Sequence, residues 1–567
     1  MSKKKIVVIG GVACGPKAAS RIRRLDPEAE IIIIEKGELL SYAGCGLPFY
    51  LSGEIHDFKD LMCTPIGVVR DTHFFKAVKD ITIYNKTVAN KIDREAKKVT
   101  AVKVDTGESL EISYDHLVLA VGGEPFIPPL PGIDLKGVSS LTTVEDARKI
   151  RDGSGPLKNK KAIIVGGGLI GIEVIESFTK QGMEVTLIEK MGTVLPALLD
   201  EEMAYHVHQE IKNSGGKLLL NETLEKINGD ETGQVKSITT SQGEVPADLV
   251  LIAIGTRPNV KLAKEAGLEI GSTGAIKVNE KLQTSDPAIY SGGDCVENVN
   301  LINNKPIYAP LGSTANKHGR IIGDQICGRS SSFKGVLGTA ICRVFNINVA
   351  KSGLTEKEAK KEGYDYVTVL SPAPDKPHFL SEAKPIIIKL IAEKKTRKLL
   401  GAQIVGPGEV AKRMEIAITA MNYGATVDEI ANLDLAYAPP FSPALDNIIT
   451  AANIASNKID GIAKTLTPQE VKKKMEAGDD FVFLDVRSPQ EFEDIKIDDQ
   501  RIKLIPLGKL RERLEELPRD KEIIVFCKIS LRGYEAQLIL EGAGFKDVKF
   551  MDGGVLCWPY AKQVKGN

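Results

Sequence analysis

Short runs of consecutive apolar residues, most of them ending at glycine or at an acidic residue, recur along the chain. Strands buried on both faces of a parallel sheet have this unbroken pattern, whereas a strand with one wet face alternates apolar and polar residues. The pattern therefore predicts an α/β protein built on parallel sheets. The predicted strands are Lys5–Ile9, Ile31–Ile34, Leu117–Val121, Ala162–Val165, Glu184–Ile188, Leu251–Ile254, Ile289–Ser291, Phe481–Asp485, Ile523–Cys527 and Val548–Met551.

The first strand leads into a glycine-rich loop and a helix predicted over Ala18–Leu25, and the second strand ends at Glu35. Glycines permit a tight turn that brings a helix N-terminus to a pyrophosphate, and the terminal acid accepts a hydrogen bond from a ribose hydroxyl. Val12 replaces the middle glycine of the usual pattern. The predicted cofactor-binding residues here are Gly10, Gly11, Val12, Ala13, Gly15, Glu35, Lys36 and Ser41.

A second and more complete nucleotide-binding unit begins about 156 residues later, with glycines at Gly166, Gly168 and Gly171. Its acidic residue, Glu189, ends the strand predicted over Glu184–Ile188. A carboxylate at this position repels the 2′-phosphate of NADP, so NADH is the expected cofactor and NADPH is disfavoured. Lys190 follows directly and softens that preference. A single such loop also occurs in unrelated α/β folds, but two with the same flanking elements are specific.

Cys45 lies between two glycines, shortly after the first nucleotide-binding unit. A thiolate is a good nucleophile toward sulfur, and Gly44 and Gly46 leave room for a substrate or a ring to approach. These features favour a redox-active cysteine over the alternative of a buried structural one. Asp294, at the end of a later predicted strand, is expected to accept a hydrogen bond from a cofactor hydroxyl, although Gly-Asp is also a common turn.

Composition removes several classes of function. The 567 residues predict roughly three to five domains, and 75 basic residues balance 75 acidic ones, so no net field favours nucleic acid or a membrane. The eight cysteines form no C-x-x-C pair, so we expect no metal site. Their scatter along a long chain also indicates a reducing compartment, and we expect the protein in the cytoplasm. The apolar run Ile6–Ile9 is too short for a signal peptide, and no run approaches the length of a transmembrane helix.

Cys45, the two loops and Gly293-Asp294 make residues 1–450 similar to the two-dinucleotide-binding flavoprotein disulfide reductases. The single-cysteine branch, which includes coenzyme A-disulfide reductases, persulfide and polysulfide reductases, NADH oxidases and NADH peroxidases, is the nearest. The resemblance implies FAD on the first unit, NAD(P)H on the second, a homodimer and a redox role for Cys45. Oxidases and peroxidases carry a histidine in the first glycine loop, where this chain has Ala13.

A tyrosine extends this resemblance to the substrate. The segment Leu435–Pro443 resembles the one with which coenzyme A-disulfide reductases bring a tyrosine to the cysteine of the partner subunit, and this role falls to Tyr437. Its alternative is a packed aromatic residue beside a proline turn. The second tyrosine of those reductases is absent near Phe379. Coenzyme A is expected as substrate or ligand near Cys45, and the predicted phosphate-binding residues are Arg21, Arg24 and Arg70. The alternative for these arginines is a role as solvated surface charges.

The last hundred residues resemble a rhodanese domain. The segments Leu484–Phe492 and Met551–Trp558 match its flanking motifs, and Cys527 begins a loop that ends at Arg532. Protein phosphatases share the Cys-x5-Arg spacing, so the flanking segments are what favour a rhodanese domain over a phosphatase. The resemblance implies that Cys527 carries sulfane sulfur and that Arg532 holds the loop or adds charge. Ser530 stands where glycine is usual. A flexible segment near Ser456–Lys458, a pantetheine arm or the partner subunit is expected to connect the two reactive cysteines.

Together these observations predict an α/β protein with two Rossmann-like dinucleotide-binding domains, an α+β dimerisation domain and a C-terminal α/β rhodanese domain. The leading hypothesis is NADH-dependent reduction of persulfides or polysulfide to hydrogen sulfide. The alternatives are reduction of coenzyme A disulfide to maintain a thiol pool, and a sulfur carrier that the flavin only gates. The expected boundaries are 1–120 with 255–328 for FAD, 121–254 for NAD(H), 329–455 for dimerisation and 464–567 for the rhodanese domain.

Overall fold

The computed structural model describes residues 3–153, 155 and 157–564. The chain divides into two compact units, the first comprising residues 1–192 and 215–336 and the second residues 193–214 and 337–567. Among the described residues, no helix is both long enough and apolar enough to cross a lipid bilayer.

Two five-stranded parallel sheets form the framework of the first unit. In both, the strand before a glycine loop is central, as a doubly wound sheet requires. The first sheet runs, in spatial order, Ile289–Ser291, His116–Leu119, Lys5–Ile9, Glu30–Ile34 and Thr82–Tyr84. The second runs Lys217–Leu220, Glu184–Glu189, Lys161–Val165, Leu249–Ile252 and Val138–Ser139.

Smaller sheets and, among the residues that the structure describes, seven α-helices complete the first unit. The helix after the first glycine loop begins at Cys14, four residues before the predicted start. The antiparallel groups are Thr87–Asp93 with Lys98–Lys103 and Ser109–Ser113, Leu224–Gly229 with Val235–Thr240 and Gly243–Pro246, Gly123–Pro125 with Thr256–Pro258, and Asn298–Val299 with Pro306–Ile307. The described α-helices are Cys14–Leu25, Leu47–Leu51, Thr72–Lys79, Val144–Gly153, Leu169–Lys180, Lys261–Glu265 and Gly312–Ile326.

The second unit contains an antiparallel sheet with its helices, and then a small parallel sheet with its own. The antiparallel sheet runs, in spatial order, Ala340–Val344, Ile347–Gly353, Leu399–Gly406, Pro385–Glu393 and Tyr366–Pro374, so the last of these is an edge strand. The helices that accompany it along the chain are Glu201–Asn213, Glu356–Lys361, Val410–Asn422, Val427–Ala431 and Asn447–Ile459.

The small parallel sheet has the strand order Thr465–Leu466, Val548–Met551, Glu522–Phe526, Phe481–Asp485 and Ile502–Leu504. Apolar side chains from both of its faces form separate buried clusters, one of which contains Phe483, Phe526 and Trp558. The short antiparallel pair is Ile495–Ile497 with Lys562–Val564, and the helices are Pro468–Ala477, Pro489–Asp494, Leu507–Leu510 and Leu531–Gly542.

The prediction of a flexible segment at Ser456–Lys458 is wrong, because these residues lie inside the helix Asn447–Ile459. The Ser456 hydroxyl donates to Asp428 and accepts from Arg397. Arg397 also forms an ion pair with Asp460, directly after the helix. The polar composition that suggested a linker belongs to side chains that hold the end of the helix in place.

Candidate functional site

The first glycine loop passes close to the backbone of a neighbouring strand. A Cβ atom on Gly10, which has φ +115°, would lie 2.1 Å from the Ala120 carbonyl oxygen, and one on Gly15 would lie 1.9 Å from the Gly10 oxygen. Within the described part of the chain, no side chain caps the helix that starts at Cys14. The loop therefore leaves a helix N-terminus open beside the bare backbone, which is the geometry that suits a pyrophosphate.

Glu35 is buried at the end of its strand, and its carboxylate is held by the loop that it is predicted to serve. It accepts hydrogen bonds from the Gly11 amide at 2.6 Å and from the Gly37 amide at 2.7 Å. The Ser41 amide donates to the Gly11 oxygen at 2.9 Å, while Lys36 is exposed. Val12 and Ala13 are half-buried in the same loop. The structure thus brings these predicted residues together.

The second glycine loop repeats this arrangement. Glu189 accepts from the Gly167 amide at 2.7 Å and from the Met191 amide at 2.8 Å. Gly168 precedes the helix Leu169–Lys180 and, like Ala13, offers no side-chain cap. Each loop therefore has an acidic side chain fixed on its backbone and an open helix N-terminus.

Cys45 lies in a one-turn 3-10 helix, Gly44–Gly46, and is exposed. The protein around it nevertheless removes enough water to raise the pKa of the thiol, and the carboxylates of Glu173 and Asp294 raise the pKa further. A hydrogen bond to its own backbone acts in the opposite direction. The site thus presents an accessible sulfur whose thiolate needs further stabilisation from a bound group. Reading the sequence missed Glu173, whose position on the second nucleotide-binding helix gave no signal.

Asp294 follows the strand Ile289–Ser291 at the carboxyl edge of the first sheet. Burial raises the pKa of its carboxyl to about 6. Beside it, the Gly293 amide donates to Nδ1 of His318, whose Nε2 is buried without a partner among the described residues. These incompletely satisfied polar groups fit a site that receives hydroxyls or other polar groups from a ligand.

The three arginines predicted to bind phosphate differ in how much of each side chain is already used. Arg21 pairs with Asp324 at 2.6 Å. Arg70 donates to the carbonyl oxygens of Met62 and Cys63 at 2.9 and 2.8 Å. Arg24 is exposed on the same helix as Arg21. Their role in phosphate binding stays a prediction, with Arg24 the most accessible of the three.

Tyr437 lies on an irregular segment of the second unit, between the helices Val427–Ala431 and Asn447–Ile459, and it is 54% exposed. Phe441 and Leu445 on the same segment are 66% and 54% exposed. The buried ion pair of Arg413 with Asp446, 2.9 Å long, fixes the far end of the segment. An open cavity of about 470 Å³ lies along it. Tyr437 is therefore presented outward and is not packed in a core.

Cys527 follows the central strand Glu522–Phe526 and precedes the helix Leu531–Gly542, so the loop ends at a helix N-terminus. Cys527 is buried at the base of this loop. Arg532 makes a bidentate ion pair with Glu491, with distances of 2.7 and 2.8 Å, and its charge interacts with Cys527, which helps to raise the pKa of the guanidinium. The bond from Arg532 lowers the pKa of Glu491 to about 2. Arg532 therefore lies at the cysteine and is oriented by a carboxylate that the sequence did not single out.

Three carboxylates in the second unit surround one buried ammonium group. Oxygen atoms of Asp200, Glu202 and Glu356 lie within 4.8 Å of one another, a spacing that also suits a metal ion. Lys389 Nζ contacts all three, at 2.9 Å from Asp200 and 2.5 Å from Glu356. Although burial opposes its charge, these carboxylates raise the pKa of Lys389. The cluster thus already holds a cation of the protein itself.

Comparisons with known proteins agree with this arrangement. Residues 4–311 match the pyridine nucleotide-disulphide oxidoreductase family, residues 339–449 its dimerisation domain, and residues 467–559 the rhodanese-like domain. The chain is 37% identical over 452 residues to an NAD(P)H coenzyme A polysulfide/persulfide reductase of Pyrococcus horikoshii, covering 80% of this chain and 98% of that protein. It is 33% identical to a coenzyme A disulfide reductase of Staphylococcus epidermidis, over 78% of this chain and 98% of the other.

A solved structure extends the similarity over nearly the whole chain. The NAD-dependent persulfide reductase of A. fulgidus is 46% identical, with a TM-score of 0.93, and the alignment covers 98% of this chain and 100% of the other. The predicted fold class is confirmed, including the C-terminal rhodanese domain. The residue boundaries and the roles of the site residues stay predictions. The chain belongs to the pyridine nucleotide-disulphide oxidoreductase family, here with a dimerisation domain and a rhodanese-like domain in the same polypeptide.

Proposed function

We propose that this protein reduces persulfide and polysulfide sulfur to hydrogen sulfide with electrons from NADH, and that its rhodanese-like domain delivers sulfane sulfur on Cys527. Membership of the family implies FAD and NAD(P)H as cofactors. The observation that carries the proposal is the combination, in one chain, of an exposed cysteine, Cys45, within the matched oxidoreductase region and a second cysteine, Cys527, within the rhodanese-like domain.

The residues of the first unit fit FAD. The bare backbone of the Gly10–Gly15 loop and the open helix N-terminus suit its pyrophosphate, and Glu35 suits a ribose hydroxyl. Asp294 would accept a hydrogen bond from a hydroxyl of the flavin chain. When bound, FAD accepts a hydride from the nicotinamide and passes an electron pair to sulfur at Cys45.

The sulfur chemistry belongs to Cys45. Its thiolate attacks the inner sulfur of a persulfide R–S–SH, the S–S bond breaks, HS⁻ leaves, and a mixed disulfide Cys45–S–S–R remains. Two electrons then break this disulfide, release RS⁻ and restore the Cys45 thiolate. Because the protein raises the pKa of this thiol, the proton that leaves Cys45 needs an acceptor, and HS⁻ or the departing thiolate is suitable.

Glu189 supports the choice of NADH. Both of its oxygens accept backbone amides of the loop around it, so the carboxylate is fixed where a ribose 2′-oxygen is expected. A 2′-phosphate there would face this fixed negative charge. We therefore expect the kcat/KM for NADH to exceed that for NADPH, and a clear preference for NADPH would show that Lys190 dominates.

The dimerisation domain supports a homodimer, in which Tyr437 of one subunit reaches Cys45 of the other. A phenolic hydroxyl near a sulfur that alternates between thiolate and disulfide can hydrogen-bond the anionic form. The exposure of Tyr437, Phe441 and Leu445 supports this role. Coenzyme A would be the thiol part of the persulfide, with its phosphates near Arg24 and Arg21.

Reduction of coenzyme A disulfide is the second candidate, and the relative that carries that name favours it. Against it, position 379, near which such reductases carry a tyrosine, is an exposed phenylalanine, 69% accessible. A sulfur carrier with a flavin that only gates transfer is the third candidate. It would show little NADH turnover without a protein acceptor.

One experiment separates these candidates. NADH oxidation is followed with coenzyme A persulfide, polysulfide, coenzyme A disulfide and oxygen in parallel, with wild type, Cys45→Ser and the matched control Cys63→Ser. We expect the highest kcat/KM with the persulfide, loss of turnover to background in Cys45→Ser with the flavin spectrum retained, and little change in Cys63→Ser. Near wild-type turnover in Cys45→Ser, or a preference for the disulfide, would overturn the proposal.

A further inference from the structure

A buried ion pair joins the rhodanese-like domain to the helix Asn447–Ile459, which follows the dimerisation domain in the chain. Lys458, near the end of the helix Asn447–Ile459, places Nζ 2.6 Å from Oδ2 of Asp552. Their side chains are only 6% and 1% exposed. The same oxygen accepts the amide of Leu370 on the edge strand at 3.1 Å, and Lys458 also donates to the Thr368 oxygen at 2.5 Å. A buried pair of this kind is costly to break, because either partner alone leaves an uncompensated charge.

The connection between the two domains is short and held at both ends. The amides of Ile462 and Ala463 both donate to the Asn457 oxygen, at 2.9 and 3.1 Å. On the rhodanese side, the buried amide side chain of Gln537 accepts from the Lys464 amide and donates to the Ile462 oxygen. The ion pair is therefore supported by a short connecting segment whose two ends are held by hydrogen bonds.

The residues after Asp552 lie over the loop that carries Cys527. The Val555 amide donates to the Cys527 oxygen at 2.9 Å, and the Leu556 amide donates to the Lys528 oxygen at 3.2 Å. Gly554 has φ +56°, and a Cβ there would lie 2.4 Å from the Cys527 oxygen. The segment that follows Asp552 is thus bonded directly to the backbone of the Cys527 loop.

Ser530, in the Cys527 loop, makes a third contact with the segment that follows Asp552. Its φ of +89° is unusual for a residue with a side chain. Its hydroxyl accepts the Gly553 amide at 2.6 Å, and it provides no cap for the helix that follows. A non-glycine residue in this region of φ and ψ persists only where its surroundings fix it. Here the contact that fixes Ser530 is the hydrogen bond from the amide of Gly553, the residue next to Asp552.

We propose that Lys458 and Asp552 are positioning residues for Cys527, acting through Gly553 and Ser530. The ion pair sets the register of the segment 552–556, and this segment sets the shape of the loop in which sulfur is bound. Sulfur transfer at Cys527 thus depends on a lysine that lies outside the rhodanese-like domain, in the helix Asn447–Ile459. The inference rests on the proposed sulfur-carrying role of Cys527.

The test uses the full chain and the transfer of sulfur from thiosulfate to cyanide. The Cys527 thiolate attacks the outer sulfur of thiosulfate, the S–S bond breaks, sulfite leaves, and a Cys527 persulfide forms. Cyanide then removes the outer sulfur as thiocyanate and restores the thiolate. The assay needs neither NADH nor Cys45, so the NADH-dependent reaction can fail without affecting it. A Cys527→Ser variant that still transfers sulfur would refute the proposed role of Cys527 itself.

For Lys458→Met and for Ser530→Ala we expect kcat to fall about 10-fold with KM nearly unchanged, because a small displacement of a reacting group has effects of this size or larger. The double variant should be no slower than the slower single variant, since both changes break one chain of contacts. Lys474→Met is the matched control, because Lys474 pairs with Asp479 and Glu522 away from the loop. It should leave kcat unchanged and add no coupling to Ser530→Ala.

Folding of each variant is checked by its thermal unfolding midpoint. A folded Lys458→Met with wild-type kcat would overturn the proposal, and so would a double variant whose loss equals the product of the two single losses. If Lys458→Met does not fold, the nearly isosteric variant Asp552→Asn replaces it, and the same two results would overturn the proposal. Its side-chain oxygen still accepts a hydrogen bond from the Leu370 amide, while the negative charge is removed.

Discussion

Asp294 shows how one residue can be unfavourable for folding and useful for binding. Because burial raises the pKa of its carboxyl to about 6, from 3.8, the folded protein binds this proton more tightly than the unfolded chain does. The contribution of Asp294 to stability is therefore greatest below pH 4 and is lost as the pH rises through 6.

Asp294→Asn should accordingly raise the stability of the FAD-free protein at pH 7 by about 1–3 kcal/mol and have little effect near pH 4. It should also weaken FAD binding, because a neutral amide oxygen is a poorer acceptor than a carboxylate. Thermal unfolding at the two pH values and FAD retention on dialysis measure both effects, with the exposed Asp134→Asn as control. Equal stability of variant and wild type at pH 7 would contradict the argument.

At the scale of elements, the ion pair of Arg532 with Glu491 joins the start of the helix Leu531–Gly542 to the helix Pro489–Asp494. The pKa of Glu491 is lowered to about 2, first by the hydrogen bond from Arg532. The stabilisation is therefore present above pH 4.5 and is lost as the pH falls toward 2. Both side chains are about one third exposed, so water weakens the effect.

Glu491→Gln should lower the unfolding midpoint at pH 7, and the difference from wild type should narrow as the pH is lowered from 5 to 3. Glu493→Gln is the matched control on the same helix, because Glu493 pairs with Lys496 at the surface and not with Arg532. Thermal scans followed by circular dichroism at a series of pH values measure the difference. A gap that stayed constant with pH would show that the ion pair does not stabilise this region.

The elements themselves were largely predictable, because their signals are local. The strand before each glycine loop, the acidic residues Glu35 and Glu189 and the strand before Cys527 all follow from apolar runs and turn residues within about 30 positions. Partners distant in the chain were not predictable: Glu491 for Arg532, Asp324 for Arg21 and Asp552 for Lys458 lie 41, 303 and 94 positions away. The segment Ser456–Lys458 was misread for the same reason, since its polar side chains bind residues that the local pattern does not contain.

For the whole molecule, the prediction concerns the two subunits of the proposed dimer. If Tyr437 acts on Cys45 of the partner, then Tyr437→Phe should lower kcat while the protein stays a dimer in sedimentation. Mixing this variant with Cys45→Ser should restore activity, because the mixed dimer contains one site with both a wild-type Cys45 and a wild-type Tyr437. Random exchange of subunits gives about a quarter of wild-type turnover.

Absence of any recovery after proven subunit exchange would place Tyr437 and Cys45 in the same subunit or remove Tyr437 from the site. Cys63→Ser mixed with Cys45→Ser is the control. It should simply average the activities of the two parents, since Cys63 has no proposed role in catalysis.

The buried contact between Lys458 and Asp552 also bears on whether the C-terminal domain can be removed from the rest. Cutting the chain near Lys464 would leave Asp552 as a charged group without its counter-ion and would expose the amide of Leu370 on an open strand edge. The fragment with the edge strand would then present an unpaired backbone amide to other molecules, and the rhodanese-like fragment would lose the contacts that fix Asp552. Activities measured on the isolated fragments would consequently describe two altered proteins. The activities of both regions are therefore best measured on the intact chain.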